Sequence, residues 1–288
     1  MKTATILALI VSAAPLLAQK PAAIDVTVQQ VNDRRTNGSF AELAITLELP
    51  KMKSSEIAAS RVLIAAATDD SGRSLIDPAA TEPQLEPNMR GGGSDGPPSP
   101  ATVTVRLANP DRKATRIKEV RGEIELYMPS RDANSVADVP KFLSSAGKPL
   151  TQKALKANAV EIALLSSTQI DAERKRLLDA RRKEAKANGW EDGEDLESML
   201  KSTAESLLMV DEGDLLVRIK DPNQRIQELA YVDATGDVKR ISSRTDEGLT
   251  YLTTWGDKPQ PDWKLRVSMK TPKNLVRYSF ALKDVALP

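Results

Sequence analysis

The chain has 288 residues, with 41 lysine and arginine side chains against 40 acidic ones. This near-neutral balance argues against a nucleic-acid-binding protein, which carries a basic surplus. The sequence contains no histidine and no cysteine. Disulfides and serine–histidine or cysteine–histidine catalysis are therefore excluded, and metal sites built on imidazole or thiolate are not expected.

Residues 1–18 have the pattern of a secretory signal peptide. Lys2 supplies the positive charge, an apolar stretch begins at Ile6, and Ala18 before Gln19 is a suitable cleavage point. That stretch is too short to span a membrane, and no later stretch reaches the required length. We expect an exported protein, periplasmic or extracellular, with no transmembrane segment after signal removal.

The first half of the chain is predicted to be β. Apolar and polar residues alternate as in half-buried strands at 24–31, 40–49, 101–107, 117–128 and 159–165. Residues 61–68 are apolar on both faces and predict a central strand. A β-bulge is expected near Gly122, while residues 130–158 are poorly patterned.

Two polar segments interrupt these strands. Asn37-Gly38-Ser39 is a tight-turn signal and also matches a glycosylation sequon, which matters only in a eukaryotic secretory pathway. Residues 77–100 form a long loop rich in proline and glycine. Its glycines at 91–93 are not a phosphate-binding loop, because no Gly-Lys-Ser/Thr follows them.

Residues 168–208 form the only long segment that is predicted to be helical. Thr168 is a candidate N-cap with Asp171 in the capping-box position, and Gly189 suits the position after the helix end. The apolar stripe is thin, with Ile170, Leu177 and Leu178 followed only by alanines. A second amphipathic piece follows an acidic turn and predicts a helical hairpin. Two interpretations stay open: a solvated insertion, or an arm that contacts a partner.

A second β region is predicted after the helices, with strands at 215–219, 226–232, 238–241, 249–255, 263–269 and 275–287. A weak internal repeat joins the halves: 67–72 parallels 231–236, 159–165 corresponds to 24–31, and 103–110 resembles 265–272. The alternative is that any two β regions share such turn and strand patterns.

Trp255 and Trp263 flank a loop with two prolines in the last predicted hairpin. Alternation places Leu249, Tyr251 and Trp255 on one strand face, and Trp263, Leu265 and Val267 on one face of the next. Pairing Trp255 opposite Trp263 brings both apolar faces to one side. We predict that both tryptophans lie together in the core. Trp190, beside the acidic turn, is expected to be exposed.

Few catalytic or metal-binding candidates remain. Serine–lysine spacing occurs at Ser145/Lys148 and Ser198/Lys201, but no Lys-Thr-Gly motif accompanies either pair. The nearest calcium candidates are Asp233 with Asp237 and the acids at 191–195, and neither set has EF-hand spacing. These acids are interpreted as surface turn residues, so no catalytic residue, metal ligand or cofactor is predicted.

The predicted fold is mainly β, with two β-sandwich (Ig-like) domains. Domain 1 covers residues 19–131, and domain 2 covers residues 132–288 with a charged α-helical insertion at 168–208. The predicted function is non-catalytic: an exported protein that binds an envelope or extracellular protein, through 168–208, or a surface polymer. The alternative is a polysaccharide hydrolase that uses an Asp/Glu carboxylate pair.

Overall fold

The computed structural model describes residues 21–35, 41–79, 81–88, 100–206, 208, 210, 213–254 and 258–288. These residues form a mainly β structure, as the sequence predicts. The described strands are β1 (Ala22–Ala23), β2 (Thr27–Arg34), β3 (Glu42–Lys53), β4 (Ala59–Asp69), β5 (Glu86–Pro87), β6 (Pro100–Leu107), β7 (Arg116–Tyr127), β8 (Val136–Pro140), β9 (Glu161–Leu164), β10 (Leu215–Lys220), β11 (Ile226–Val232), β12 (Val238–Arg240), β13 (Ser242–Asp246), β14 (Leu249–Thr253), β15 (Lys264–Met269) and β16 (Leu275–Ala286). The described helices are α1 (Lys153–Ala157), α2 (Ser167–Ala187) and α3 (Glu194–Ser206), with 3-10 turns at Ser54–Glu56, Pro129–Arg131 and Phe142–Ser145.

Several predicted features lie outside the described residues. They are the signal peptide at 1–18, the turn at Asn37-Gly38-Ser39, the glycines at 91–93, and Trp255.

The described strands form four sheets, which pack in two pairs, each pair around its own apolar core. The sheets β2-β3-β6 and β1-β16-β7-β4-β5 enclose the first core, because alternate residues of β3, β6 and β7 point between them. Leu43, Ile45 and Leu47 of β3 are fully buried there. The sheets β9-β10-β14-β13 and β12-β11-β15-β8 enclose the second core, around Tyr231 and Val267.

Gly122 marks a close approach of two strands in the first core. A Cβ atom at Gly122 would lie 2.3 Å from the carbonyl oxygen of Leu63. The strand irregularity predicted near Gly122 lies in the partner strand, because the β4 register shifts between Ile64 and Ala66. Only glycine allows this contact, so its presence in an otherwise regular strand has a packing reason.

The last strand does not follow the predicted division at residue 131. The strand β16 pairs with β7 from Leu275 opposite Tyr127 to Ala286 opposite Arg116, and its Phe280 lies in the first core. The strand β8 follows β7 in the chain but pairs with β15, with Ala137 opposite Val267. Each half therefore supplies a strand to the sheet of the other half. The prediction assumed that consecutive strands stay together, which is the common arrangement but not the one found here.

The two segments that cross between the halves are joined by buried hydrogen bonds. The backbone nitrogen of Met128 donates to Asn274 O at 2.8 Å, and that of Met269 donates to Ser135 O at 2.7 Å. Asn274 Nδ2 also donates to Ser135 Oγ at 2.7 Å. Ser135 and Asn274 are both fully buried. These bonds satisfy polar groups that the crossing removes from water.

The predicted repeat is visible in two turns. Asp69 Oδ1 accepts from Ser71 N at 3.0 Å, Ser71 Oγ at 2.7 Å and Arg73 N at 2.9 Å. Asp233 Oδ1 accepts in the same way from Thr235 N, Thr235 Oγ1 and Asp237 N, at 3.0, 2.6 and 2.9 Å. In each turn, one carboxylate oxygen of the aspartate accepts hydrogen bonds from the residues two and four positions later in the chain.

The strand pairings also follow one order in both halves, with one change from the predicted alignment. The strand β3 lies between β2 and β6, as β10 lies between β9 and β14, while β4 pairs with β7 as β11 pairs with β15. By this order β15 corresponds to β7, not to β6. The predicted match of 103–110 with 265–272 is therefore displaced by one strand.

The prediction that β14 and β15 form a hairpin is wrong. The strand β14 pairs with β10 and β13, and β15 pairs with β11 and β8. Leu252, not Tyr251, faces the second core, because Leu249 and Tyr251 belong to an apolar cluster beneath α2. Both faces of β14 are buried, so alternation did not identify its inner face.

Candidate interaction surface

The helix α2 begins at a capping box. Ser166 Oγ accepts from the backbone nitrogen of Gln169 at 3.3 Å, and Gln169 Oε1 accepts from the backbone nitrogen of Ser166 at 3.1 Å. The predicted N-cap, Thr168, lies inside the helix instead. Gly189 has φ +89° directly after the C-cap residue Asn188, which confirms the predicted helix end. Asp171 pairs with Arg174 at 3.0 Å.

The base of the helical hairpin is part of the folded structure. Leu177 is buried against Leu216, Leu249 and Tyr251, so α2 covers the outer face of the sheet β9-β10-β14-β13. Ion pairs surround this contact: Arg218 pairs with Glu173, and Arg181 pairs with Glu247 at 2.8 Å. A hydrogen bond from Arg176, with the charges of Arg176 and Arg218, lowers the pKa of Glu173.

The far part of the hairpin is held by the two helices alone among the described contacts. Ala185, Leu196 and Leu200 form a separate small apolar cluster between α2 and α3. Arg182 Nη2 donates to both oxygens of Glu197, at 2.8 and 3.0 Å. The hairpin thus has a base fixed on the sheet and a tip fixed by helix pairing.

Trp190 is at this tip and 46% of its surface is exposed, as predicted. Its backbone nitrogen donates to Ala185 O at 3.1 Å, which fixes the turn after α2. The indole has no place in any of the described apolar clusters. A helical hairpin therefore presents a large aromatic side chain to solvent on a defined backbone.

Four exposed acids lie next to Trp190. Glu194 and Asp195 occupy the first turn of α3, where the helix dipole stabilises negative charge. Asp192 pairs with Lys186 at 2.7 Å, and Glu191 is exposed. The dipole gives a structural reason for the two acids on α3, whereas the indole packs in no apolar cluster of the described residues.

A groove of about 310 Å³ lies between the two helices, lined by Asp179 and Glu197 among other residues. Hydrolysis by a carboxylate pair needs two acids that are free to reach a substrate. Glu197 is already engaged by Arg182. One of the two carboxylates that line this groove is therefore already held in an ion pair.

The two serine–lysine candidates lie at the surface. Ser145 ends a 3-10 turn, and its backbone oxygen accepts from the backbone nitrogen of the exposed Lys148 at 3.0 Å. Ser198 and Lys201 are exposed on α3. Lys201 lines the groove between the two helices, but Ser198 does not, and Ser145 and Lys148 line neither described cavity.

The predicted calcium candidates are turn residues. Asp233 accepts the hydrogen bonds of its own turn, one of them from the backbone of Asp237. The acids at 191–195 are spread around the hairpin tip. In the part of the chain that the structure describes, no group of three or more acidic side chains is placed to hold a metal ion.

Trp263 lies in the second core, which confirms its predicted position. Its ring centroid is 6.1 Å from that of Tyr231, which stacks on Phe142 at 5.3 Å. Phe142 lies in the segment that the sequence left unassigned, so sequence patterning did not identify this aromatic cluster.

Comparisons with protein-family models, with curated proteins and with solved structures give no match. Among the described residues, no helix is long and apolar enough to cross a membrane.

Proposed function

We propose that the protein is an exported, non-catalytic binding protein of two immunoglobulin-like units. The helical hairpin, inserted into the second unit, contacts a protein partner through its tip. The observation that carries the proposal is the exposed Trp190 beside the acidic turn. Tryptophan is enriched among the residues that dominate binding energies at protein interfaces.

The strand order supports the immunoglobulin-like architecture. In such a fold, strands A, B and E lie in one sheet and strands C, F and G in the other. The sheets β2-β3-β6 and β16-β7-β4-β5 match this order in the first unit. The sheets β9-β10-β14-β13 and β8-β15-β11-β12 match it in the second. The hairpin then occupies the connection between strands A and B of the second unit.

Export is supported by the signal-like pattern of residues 1–18. Immunoglobulin-like scaffolds serve many binding functions, so the fold alone does not define the partner. The tip defines its chemistry instead. An indole next to carboxylates complements a partner surface that has an apolar pocket with basic residues around it.

Site-specific photo-crosslinking tests this proposal. A photoreactive phenylalanine replaces Trp190 in one variant and Val238, an exposed apolar residue on β12, in a control variant. We expect one discrete adduct from position 190 in the native envelope or culture fraction, and none from position 238. Changing Glu191 and Asp195 to lysine should abolish the adduct, and high salt should weaken it. The proposal is contradicted if position 190 gives no adduct, or if both positions give the same adducts.

A further inference from the structure

The crossing of the two halves places equivalent residues in matching positions. The backbone bonds from Met128 to Asn274 and from Met269 to Ser135 are the first contacts on each side. Immediately beyond them, Tyr127 lies opposite Leu275, and Ser268 lies opposite Val136. The position of Tyr127 on β7 therefore corresponds to that of Ser268 on β15.

The exchanged strands are β16, which pairs with β7, and β8, which pairs with β15. Two residues further along, each exchanged strand makes an ion pair with its partner strand. Glu125 of β7 lies opposite Arg277 of β16, with Nε to Oε2 at 2.5 Å. Arg266 of β15 lies opposite Asp138 of β8, with two hydrogen bonds at 2.7 and 2.8 Å. The two positions are equivalent, but the charges are reversed between them.

The same chain could also adopt an arrangement without strand exchange. If each strand returned to the sheet of its own half, β8 would lie beside β7 and β16 beside β15. In equivalent registers Asp138 would then oppose Glu125, and Arg277 would oppose Arg266. Like charges directly opposite one another destabilise a strand pair, and the effect grows where water is excluded. The side chain of Glu125 is fully buried.

The lengths of the connecting segments do not explain why the strands are exchanged. Residues 128–135 connect β7 to β8, and residues 270–274 connect β15 to β16. The second connection, of five residues, has the usual length of a hairpin loop, and the first, of eight residues, is only a little longer. Each would allow a simple hairpin, which is the more common outcome for consecutive strands. A further cause is needed for the exchange.

We propose that these charges assign each exchanged strand to its sheet. Glu125 makes the edge of β7 a docking site for a strand that carries arginine, and Arg266 makes the edge of β15 a docking site for a strand that carries a carboxylate. Arg61 lies on the other side of Glu125, at 2.8 Å, and completes a row of alternating charge across β4, β7 and β16. The assignment does not depend on the partner proposed for the hairpin.

A disulfide reporter can distinguish the two arrangements, because the chain contains no native cysteine. Glu123 lies opposite Ser279, and Pro140 lies opposite Lys264. By the same equivalence, Pro140 would lie opposite Glu123 if the strands were not exchanged. A full-length variant with Glu123→Cys, Ser279→Cys and Pro140→Cys is unfolded with reductant, refolded and then oxidised. Peptide mass spectrometry of the monomer compares the 123–279 and 123–140 disulfides.

In the variant that carries only the three cysteine substitutions, the 123–279 disulfide should account for nearly all of the product. Adding Asp138→Arg with Arg266→Asp keeps the native arrangement paired and also makes the unexchanged one charge-matched. We expect the 123–140 fraction to rise at least about tenfold, since removing a like-charge contact of about 1.4 kcal/mol has that effect. The matched control, Glu42→Arg with Arg106→Glu, reverses a pair on β3 and β6 and should leave the ratio unchanged.

The milder variant Asp138→Asn provides a second measurement if the charge reversal prevents folding. It removes the repulsion from Glu125 but keeps the opposition of Arg277 and Arg266, so its 123–140 fraction should fall between the other two. An unchanged fraction in the reversed variant, or in Asp138→Asn where the reversed variant does not fold, would overturn the proposal.

Discussion

The two exchanged strands have the same position in the fold but different surroundings. Beside β16, Glu125 of β7 is fully buried between Arg61 and Arg277, whose side chains are 17% and 51% exposed. At β8, Asp138 and its partner Arg266 on β15 are 37% and 34% exposed. Equal pairing geometry therefore does not mean equal energy. Breaking the buried row should lower the free energy of unfolding strongly, whereas the exposed pair is screened by water and contributes little.

The largest predicted effect is the removal of the buried carboxylate. Glu125→Ala should lower the free energy of unfolding by about 3–5 kcal/mol, because Arg277 loses its partner and Arg61 keeps only its bonds to Glu82 and to the carbonyl oxygen of Pro83. Asp138→Ala should cost only about 0.5–1 kcal/mol. Urea denaturation of both variants measures the difference. Equal losses would show that burial does not distinguish the two sites.

The base and the tip of the hairpin offer the next comparison. Leu177→Ala should lower the global free energy of unfolding by about 2–4 kcal/mol, because its side chain packs on the sheet residues Leu216 and Tyr251. Leu196→Ala removes a leucine of equal size that is fully buried in the tip cluster. That change should increase hydrogen exchange in α3 and leave the global transition almost unchanged. Global unfolding shifted equally by both substitutions would mean that the tip folds with the core.

The two repeated turns differ at the second carboxylate oxygen. Asp69 Oδ2 accepts from the backbone nitrogen of Asp111 at 2.9 Å and is fully buried, whereas Asp233 Oδ2 lies 3.5 Å from Lys239. Asp69→Asn would place an amide NH₂ against the Asp111 N–H. It should cost about 1–3 kcal/mol at neutral pH. Asp233→Asn should cost less.

The same pair of variants has a defined pH dependence. Burial works to raise the pKa of Asp69, but hydrogen bonds from Ser71, Asp111 and Arg73 outweigh it and leave the pKa below its ordinary value. A hydrogen bond from Thr235 lowers the pKa of Asp233. A lowered pKa gives stability that is present above the ordinary value and lost as the pH falls through the lowered one. The cost of each substitution should therefore shrink below about pH 4. A cost that stays constant down to pH 2 would contradict the assigned bonds.

The smallest effect should have the opposite sign. The hydroxyl of Tyr231 is buried without a hydrogen-bond partner among the described residues, and burial raises its pKa. Tyr231→Phe should be neutral or stabilise the protein by up to about 1 kcal/mol. The matched change Tyr127→Phe removes a hydroxyl that donates to Met269 O at 3.3 Å, so it should destabilise. Thermal melts compare the two, and a clear loss of stability in Tyr231→Phe would reveal a hydrogen bond to that hydroxyl.

Local patterns in the sequence predicted most of the strands. Leu43, Ile45 and Leu47 alternate with polar residues and lie in the core as expected. Alternation was not informative for β14, because α2 covers its second face. The strand β8 was not predicted, since its five residues end in Pro140 and show little contrast with their neighbours. Its pairing with β15 is a non-local contact that no local pattern contains.

The candidate surface was predicted in part. Trp190 was expected to be exposed, and it is, because the surrounding acids and the glycine after α2 indicate a turn. The burial of Glu125 was not expected, because an acid in a charged chain is usually on the surface. An arginine lies opposite Glu125 on each neighbouring strand and would have indicated its burial. These pairings can be recognised only when the register of β4, β7 and β16 is known.

Because β16 packs in the first core and β8 pairs with β15, the exchange should couple the two halves into one cooperative unit. Scanning calorimetry of the protein and of Val267→Ala, a substitution in the second core, tests it most directly. The account predicts one transition, with equal calorimetric and van't Hoff enthalpies, that moves as a whole to lower temperature in the variant. Two transitions, of which Val267→Ala moves only one, would contradict it.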